Sequence, residues 1–335
     1  MVDVFALTCL RLMGAFAHTL IAVGKGLDED ILNGMSLNYN DFIKETKGSS
    51  ATPVTYKEEC CFYLLWIWKF LACTFSKRVI NHYLPIARCL ANGTPVDLSS
   101  FLLGKLYRSL FLLTTEPKQS HGGPVWLIQM WAYSYFPSIA PELHPTIEPW
   151  SYGEAWMHAR YPKEVPSYPT CFKLFNDSSR KRSLEEFMPF EAKRYGSEDF
   201  QQFLSQGFFR GDAAWGACLQ SKDLVVIRSI NVGVEAYCPS LVARQFGLVQ
   251  LLSVPPIWTK NTNWTSRVSI SKDEAKQVSV LARERVTSFA FTPFLVRSVS
   301  SSSFHSWWEI YMAHFDNEDD LIEAIQGCCP TFLLY

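Results

Sequence analysis

The sequence carries little charge and almost no excess of either sign. Of its 335 residues, 19% are Asp, Glu, Lys or Arg, and the formal net charge at pH 7 is -1. A soluble protein of average composition is about 25% charged. Because global attraction to phosphate backbones depends on an excess of Lys and Arg, this balance excludes a chain-wide electrostatic attraction to nucleic acid.

Metal-ligand spacings are missing from the ten cysteines and seven histidines. Two cysteine pairs are adjacent, Cys60-Cys61 and Cys328-Cys329, but there is no Cys-x-x-Cys, and no two histidines stand four residues apart. Zinc sites built from cysteine and histidine use such spacings. We therefore expect no metal and no cofactor.

Motifs of phosphate binding and nucleophilic catalysis are missing as well. No G-x-G-x-x-G occurs, and Gly24-Lys25-Gly26 lacks the spacing of a P-loop. Ser269 and Lys272 have the spacing of a Ser-Lys pair, but Ser271 between them explains the pattern as a helix cap. The acids from Asp316 to Glu323 lie on one helix start, where they complement the helix dipole. The sequence therefore predicts no catalytic residues and a protein that binds.

No apolar run reaches the roughly 20 residues that a membrane-spanning helix needs. The longest, from Cys60 to Phe75, contains Lys69 and predicts a buried helix. Aromatic residues, by contrast, are abundant, at 15% with 11 Trp. Such rings fill a helical core or a partner interface.

Helical periodicity dominates the first half of the chain. It predicts helices over 3–22, 57–76, 78–91 (kinked or split at Pro85), 99–114 and 123–137, with an exposed loop over 34–53.

The second half is mixed. The β-branched run from Leu224 to Ile230 predicts a strand, and Pro239 to Phe246 predicts a short helix. Ser271 and Glu274 form a capping box that opens a helix ending near Arg285. A last helix runs from the acids at 316–320 to Gly327.

These elements predict a mainly α fold, with a multi-helix core and a smaller mixed α/β portion in the C-terminal half. The predicted organisation is a helical core over 1–170, a continuation with a small β element over 171–295, and a C-terminal helical tail over 296–335.

Four blocks of sequence occur in the order of a known family's motifs. Gly122 to Pro137 resembles the Gly-Pro and Gln-x-Trp-x-x-x-x-Phe-Pro signature of the plant mobile domain. Glu235 to Gln250 resembles the family's Glu-x-Tyr-x-Pro-x-x-Val-x-x-Gln-Phe-Gly-x-x-Gln pattern. Asp3 to Leu7 and Gly104 to Leu110 fit two further pieces, so the resemblance covers about residues 1–260.

The matching motifs supply candidate interaction residues. Tyr237 and Phe246 are expected to pack in the core, whereas Arg244 and Gln245 are better placed for polar contact. The full candidate set is Trp126, Gln129, Trp131, Glu235, Tyr237, Arg244, Gln245, Phe246 and Gly247.

The family includes the MAIN and MAIN-like proteins and copies carried by transposable elements. The resemblance implies a non-catalytic nuclear interaction module linked to meristem maintenance, genome stability or transposon silencing. It also implies a type-7 serine/threonine phosphatase-like protein as a candidate partner. Members usually carry sequence ahead of the Asp3 block, so a truncated copy is one expectation.

Two alternatives remain open. The first is a transposon-encoded factor that binds nucleic acid or assists transposition. The second is the pyridoxal phosphate enzyme that the family's "aminotransferase-like" label suggests, which is disfavoured because no Lys has a phosphate-binding motif beside it. The basic cluster at 180–182 is either a nuclear-import patch or a solvated turn, and its shortness favours the turn.

Overall fold

A computed structural model describes residues 1–8, 10–17, 29–115, 122–142, 166–177, 217–218, 220–227, 232–239, 256, 269–287 and 301–327. Over these ranges the protein is mainly helical with two small sheets, which confirms the predicted fold class. Within the described part of the chain, every helix is too short or too polar to cross a bilayer.

The helices of the first half follow one another closely. They are α1 (Val2–Thr8), α2 (Glu29–Leu32), α3 (Tyr39–Thr46), α4 (Tyr56–Trp66), a π-helical turn (Ile67–Leu71), a 3-10 turn (Asn81–Tyr83), α5 (Leu84–Ala91), α6 (Leu98–Thr115), α7 (Trp126–Tyr135), a 3-10 turn (Pro137–Ile139) and α8 (Tyr168–Asn176).

The later helices and the strands complete the described elements. The helices are α9 (Lys272–Thr287), α10 (Ser302–Met312) and α11 (Glu318–Gly327), and the last two lie in the predicted helical tail. The strands are β1 (Ala15–Phe16) and β2 (Val96–Asp97), which pair in parallel, and β3 (Lys222–Ile227), β4 (Val232–Tyr237) and β5 (Ser269–Ile270), which form an antiparallel sheet in that order.

Helix α6 joins the helical core to the three-stranded sheet. Leu102 is fully buried among the helices, whereas Gly104 faces β3. A Cβ atom at Gly104 would lie 3.3 Å from the side chain of Val226, so a larger residue would push the helix from the strand. Glycine therefore permits the close approach of α6 to the sheet.

The sheet is buried on both faces, because successive side chains of a strand point in opposite directions. Leu224 and Tyr237 belong to the main hydrophobic core that the helices share. Val225 and Val234 face the other way and pack with Val278 of α9 in a second cluster. The β portion is therefore held between α6 and α9.

The start of the chain differs from the single helix predicted over 3–22. Helix α1 ends at Thr8, and the short strand β1 follows. The Thr8 hydroxyl donates to Val4 O at 2.6 Å and accepts from Leu10 N at 3.3 Å. These bonds compete with the backbone hydrogen bonds of a longer helix. The helix therefore ends at Thr8, although the apolar pattern of the sequence continues.

One detail of the neighbouring region also differs. The segment 34–53, predicted as an exposed loop, contains α3, whose Phe42 is fully buried. The apolar residues Tyr39, Phe42 and Ile43 span little more than one turn, which is too short a pattern to predict that helix. The split predicted at Pro85 is confirmed: a 3-10 turn ends at Tyr83, and α5 begins at Leu84 with Pro85 in its first turn, where a missing N–H costs nothing.

Sequence patterns performed better at α9 and β3. The capping box is confirmed, because Ser271 N donates to the Glu274 carboxylate at 2.7 Å and Glu274 N donates to Ser271 Oγ at 3.2 Å. The predicted strand is present as β3, but its partner β4 was not predicted as a strand. Most of the predicted helix over 239–246 and the basic cluster at 180–182 lie outside the described residues.

Candidate functional site

The first and third family motifs in the chain meet at Asp3. Its carboxylate accepts a hydrogen bond from Tyr135 OH at 2.8 Å and one from Trp131 Nε1 at 3.3 Å. The Trp131 ring also packs on Tyr135, with ring centroids 5.2 Å apart. Asp3 therefore connects α1 to α7. The indole N–H of the candidate residue Trp131 is used in a hydrogen bond within the protein.

The Gly-Gly-Pro block that precedes α7 is fitted tightly between two other elements. Gly123 N donates to Cys73 O at 2.7 Å, and Ser109 of α6 lies with its hydroxyl 2.9 Å from Gly122 O. Gly123 has a φ of +134°, and a Cβ atom there would overlap the Ser109 hydroxyl. The glycine is thus required by both conformation and space.

Trp126 is hydrogen-bonded to the π-helical turn after α4. Its Nε1 donates to Phe70 O at 3.1 Å. Within this turn the hydrogen bonds span five residues, as in Ala72 N to Ile67 O at 2.7 Å. Phe70 lies in the last turn of this helical stretch, where carbonyl groups have no intrahelical donor. The Trp126 bond is therefore structural, whereas Gln129 is exposed and donates to Tyr133 OH on the same helix.

The candidate residues of β4 are buried. Glu235 is 2% exposed and Tyr237 is 5% exposed. Tyr237 donates its hydroxyl proton to Cys218 O and packs against Tyr107 of α6, with ring centroids 6.5 Å apart. Burial raises the pKa of Tyr237 well above its ordinary value, so the phenol stays protonated. The other candidates of this motif, at 244–247, lie outside the described residues.

A buried pair of opposite charges lies beside this tyrosine. Asp97, at the start of α6, accepts from Ser100 N at 2.9 Å, which is the contact of a helix N-cap. Lys222 of β3 donates from Nζ to Ser100 Oγ at 3.1 Å, and its ammonium lies 5.8 Å from the Tyr237 ring centroid. Ser100 therefore contacts both charged side chains.

Burial shifts the pKa of each member of this pair in the direction that favours its neutral form. It raises the pKa of Asp97 above its ordinary value, and the positive charge of Lys222 opposes that rise. It also lowers the pKa of Lys222, and the negative charge of Asp97 opposes that fall. Each charge thus offsets part of the desolvation cost of the other.

The space around the pair is small. The cavity that Asp97, Ser100 and Lys222 line, together with Phe16 and Val278, holds about 20 Å³. A site of this size accommodates about one water molecule. Among the residues that the structure describes, no three His, Cys, Asp or Glu side chains are grouped so as to hold a metal ion. The pair is thus arranged to fix the N-terminus of α6 to the sheet.

Asp97, Ser100 and Lys222 were missed by the sequence reasoning. Asp97 stands directly before the apolar pattern of α6, which is the position of an N-cap residue and could have been recognised. Lys222 gave no comparable signal, because a lysine at the edge of a β-branched run usually lies in solvent.

Helix α10 presents a group of neighbouring aromatic side chains that are partly exposed to solvent. Trp307, Trp308 and Tyr311 are 40%, 43% and 42% exposed, and Ile310 beside them is 65% exposed. Trp307 stacks on Tyr311 with ring centroids 5.5 Å apart and 18° between their planes. Trp308 lies 5.7 Å from Tyr311. We refer to Trp307, Trp308 and Tyr311 as the aromatic face.

The surroundings of the aromatic face are acidic. Residues 301–327 contain no Lys or Arg but include six acids, Glu309, Asp316, Glu318, Asp319, Asp320 and Glu323. Asp320 is partly used locally, since its backbone N donates to Asn317 Oδ1 at 3.0 Å and its carboxylate accepts from Asp316 N at 3.2 Å. Glu318 and Asp319 are exposed.

Comparison with known protein families identifies a match over most of the chain. The model of the family described as "Plant mobile domain" matches residues 13–309, which is most of the chain. The match begins after the Asp3 block and extends beyond residue 260 to include Trp307 and Trp308. No curated protein and no solved structure matches the chain.

Proposed function

The chain belongs to the plant mobile domain family, and we propose that it acts as a nuclear protein-interaction module that binds rather than catalyses. Family membership suggests a setting in meristem maintenance, genome stability or transposon silencing. It also makes a type-7 serine/threonine phosphatase-like protein the first partner to test.

The aromatic face of α10 is the observation that carries this proposal. Large aromatic side chains are the residues that most often dominate the energy of protein interfaces. Here two Trp and one Tyr lie side by side on one helix, each about two-fifths exposed. Neither hydrophobic core cluster includes them. An exposed apolar patch of this kind is typical of an interaction site.

The buried polar residues support a binding role in a different way. Asp3 holds α7, Asp97 caps α6, and Lys222 bonds to Ser100 of the same helix. These groups are engaged in connecting elements of the fold. Their contacts are therefore explained by the stability of the fold.

The proposal can be tested by quantitative co-purification from plant nuclear extract. The full chain would be compared with the double variant Trp307→Ala/Trp308→Ala. The matched control is Phe62→Ala/Phe75→Ala, which removes two aromatic rings that are 61% and 71% exposed in another part of the chain. Labelled peptides would be quantified by mass spectrometry, and the peptides of the phosphatase-like protein would be quantified separately.

We expect the wild type and the Phe62/Phe75 control to retain the same partners and the Trp307/Trp308 variant to lose them. Truncating a Trp at the centre of an interface typically costs about 2 kcal/mol or more. Partners that survive in the Trp variant at wild-type levels would overturn the assignment of the surface. Recovery of nucleic acid in place of protein would favour the transposon-factor alternative.

A further inference from the structure

The aromatic face contains one stacked pair of rings and a third ring that is tilted beside them. Trp307 and Tyr311 are nearly parallel, and Trp308 lies 6.2 Å from Trp307. The three side chains fall on an arc of about 100° of the helix, because their spacings are one, three and four residues. Rings of this kind bind apolar side chains and also attract cations over their faces.

The charge of the segment around the aromatic face indicates which kind of partner this surface would bind. The segment that carries it, residues 301–327, has six acids and no Lys or Arg. Exposed Glu318 and Asp319 open the helix that directly follows the aromatic face. The local potential is therefore negative, and it favours a positively charged partner.

We propose that the aromatic face and the acidic start of α11 together bind a basic, amphipathic segment of a partner protein. The inference deepens the proposed function and rests on it. Apolar side chains of the segment cover the rings, and its Lys or Arg side chains lie against the acids or over the indole faces. Recognition of an amphipathic segment by an apolar surface with a charged rim is a recurring mode of peptide binding.

The same charges disfavour two other kinds of ligand. Nucleic acid carries a dense negative charge and is bound through Lys and Arg, which residues 301–327 lack. The cytoplasmic leaflet of a membrane is also negative and attracts basic segments. The excess of acids in this segment would repel both surfaces.

The small exposed area of the aromatic face favours a short segment as the partner rather than a second copy of the chain. With about 150–250 Å² for each aromatic side chain and about two-fifths of each exposed, the exposed parts of the three rings amount to roughly 200–300 Å². A stable interface buries about 800 Å² on each partner. The aromatic face is therefore the centre of a small interface, for which we expect a dissociation constant in the micromolar range.

The test uses the full chain and three labelled synthetic peptides in fluorescence anisotropy titrations. The first is an 18-residue amphipathic helix of Leu and Lys. The second carries Glu at every Lys position, and the third is a scrambled peptide of the first composition without an apolar face. A labelled single-stranded DNA of 20 nucleotides serves as the nucleic-acid probe.

We expect the basic amphipathic peptide to bind best and the charge-inverted peptide to show no saturable binding. Trp307→Ala/Trp308→Ala should weaken binding of the basic peptide about 30-fold. Trp307→Phe/Trp308→Phe, which keeps two rings, should weaken it by about threefold. The Phe variant and circular dichroism of both proteins distinguish a lost contact from a lost fold.

The contribution of charge is tested with a second pair of variants. Glu318→Gln/Asp319→Asn should weaken binding about fivefold at low salt and flatten its salt dependence. Glu142→Gln/Asp273→Asn removes two exposed acids elsewhere and should leave binding unchanged.

Several results would overturn the inference. They are equal affinity for the basic and inverted peptides, unchanged binding by the Trp307→Ala/Trp308→Ala variant, tighter binding of the DNA probe, or a dimer that the Trp variant abolishes. If any of these occurs while nuclear partners still depend on Trp307 and Trp308, the partner chemistry is wrong and the proposed function stands. If nuclear partners do not depend on those residues, the proposed function itself fails.

Discussion

Replacement of Lys222 by Met would leave the buried carboxylate of Asp97 without the positive charge that balances it. Lys222 is 7% exposed and Asp97 is 3% exposed, so water replaces little of the lost interaction. A directly bonded buried ion pair that loses one partner costs about 3–5 kcal/mol, and because Ser100 bridges this pair we expect a cost of about 3 kcal/mol. A folded protein is stable by roughly 5–15 kcal/mol, so we expect Lys222→Met to be severely destabilising.

The effect should depend on pH in a defined direction. Burial raises the pKa of Asp97 above its ordinary value of 3.8, so the folded state holds the proton more tightly than the unfolded state. The stability from this proton is fully present below pH 3.8 and is lost as the pH rises through the folded pKa. Without Lys222 that folded pKa is higher still. The destabilisation should therefore be greatest near pH 7 and smaller near pH 4.

Urea unfolding followed by tryptophan fluorescence at pH 4, 5, 6 and 7 would measure these free energies. The control is Lys222→Met/Asp97→Asn, which removes both charges and keeps a side-chain oxygen for Ser100 N. We expect it to recover most of the lost stability at pH 7. A loss below about 1 kcal/mol for Lys222→Met at pH 7, or a loss that grows toward pH 4, would refute the role given to the pair.

Two further substitutions test the contacts between family motifs by the same unfolding measurements. Gly123→Ala should destabilise the protein by about 2 kcal/mol or more, because a Cβ atom would overlap Ser109 and the φ of +134° disfavours other residues; a neutral effect would contradict the fit of this block. Asp3→Asn should cost about 1–3 kcal/mol, since an amide oxygen replaces two carboxylate acceptors for Trp131 and Tyr135; equal stability would show that the bonds contribute nothing.

The sequence predicted the elements whose signals are local. The capping box of Ser271 and Glu274 depends on residues three positions apart, and the structure contains both of its hydrogen bonds. The mainly α fold followed from the long apolar periodicities of the first half. Such signals need no knowledge of which distant residues meet.

Elements that depend on distant contacts were missed. Strand β4 contains Gly233 and Glu235, which interrupt a β-branched pattern, but it pairs with β3 along its full length. Helix α1 stops at Thr8 although apolar residues continue. In each case tertiary pairing or a side-chain bond overrides the local pattern.

The residues of the candidate site were likewise predictable from local motifs, whereas their distant contacts were not. The motifs identified Trp126 and Trp131, but their indole N–H groups bond to Phe70 and Asp3, 56 and 128 positions away. Spacing could not show whether these rings face a partner or the interior. The aromatic face of α10 was predicted only as part of a helical tail, because its residues form no motif that the resemblance covered.

The most direct test of the central claim is site-specific photo-crosslinking of the full chain in plant nuclear extract. Benzoyl-phenylalanine would replace Tyr311 in one preparation and Phe62 in the other, both exposed aromatic positions. We predict that ultraviolet light joins the Tyr311 position to a discrete protein through a Lys- or Arg-rich segment, and that the Phe62 position gives no such adduct. Adducts only at Phe62, or adducts to nucleic acid at Tyr311, would contradict the account.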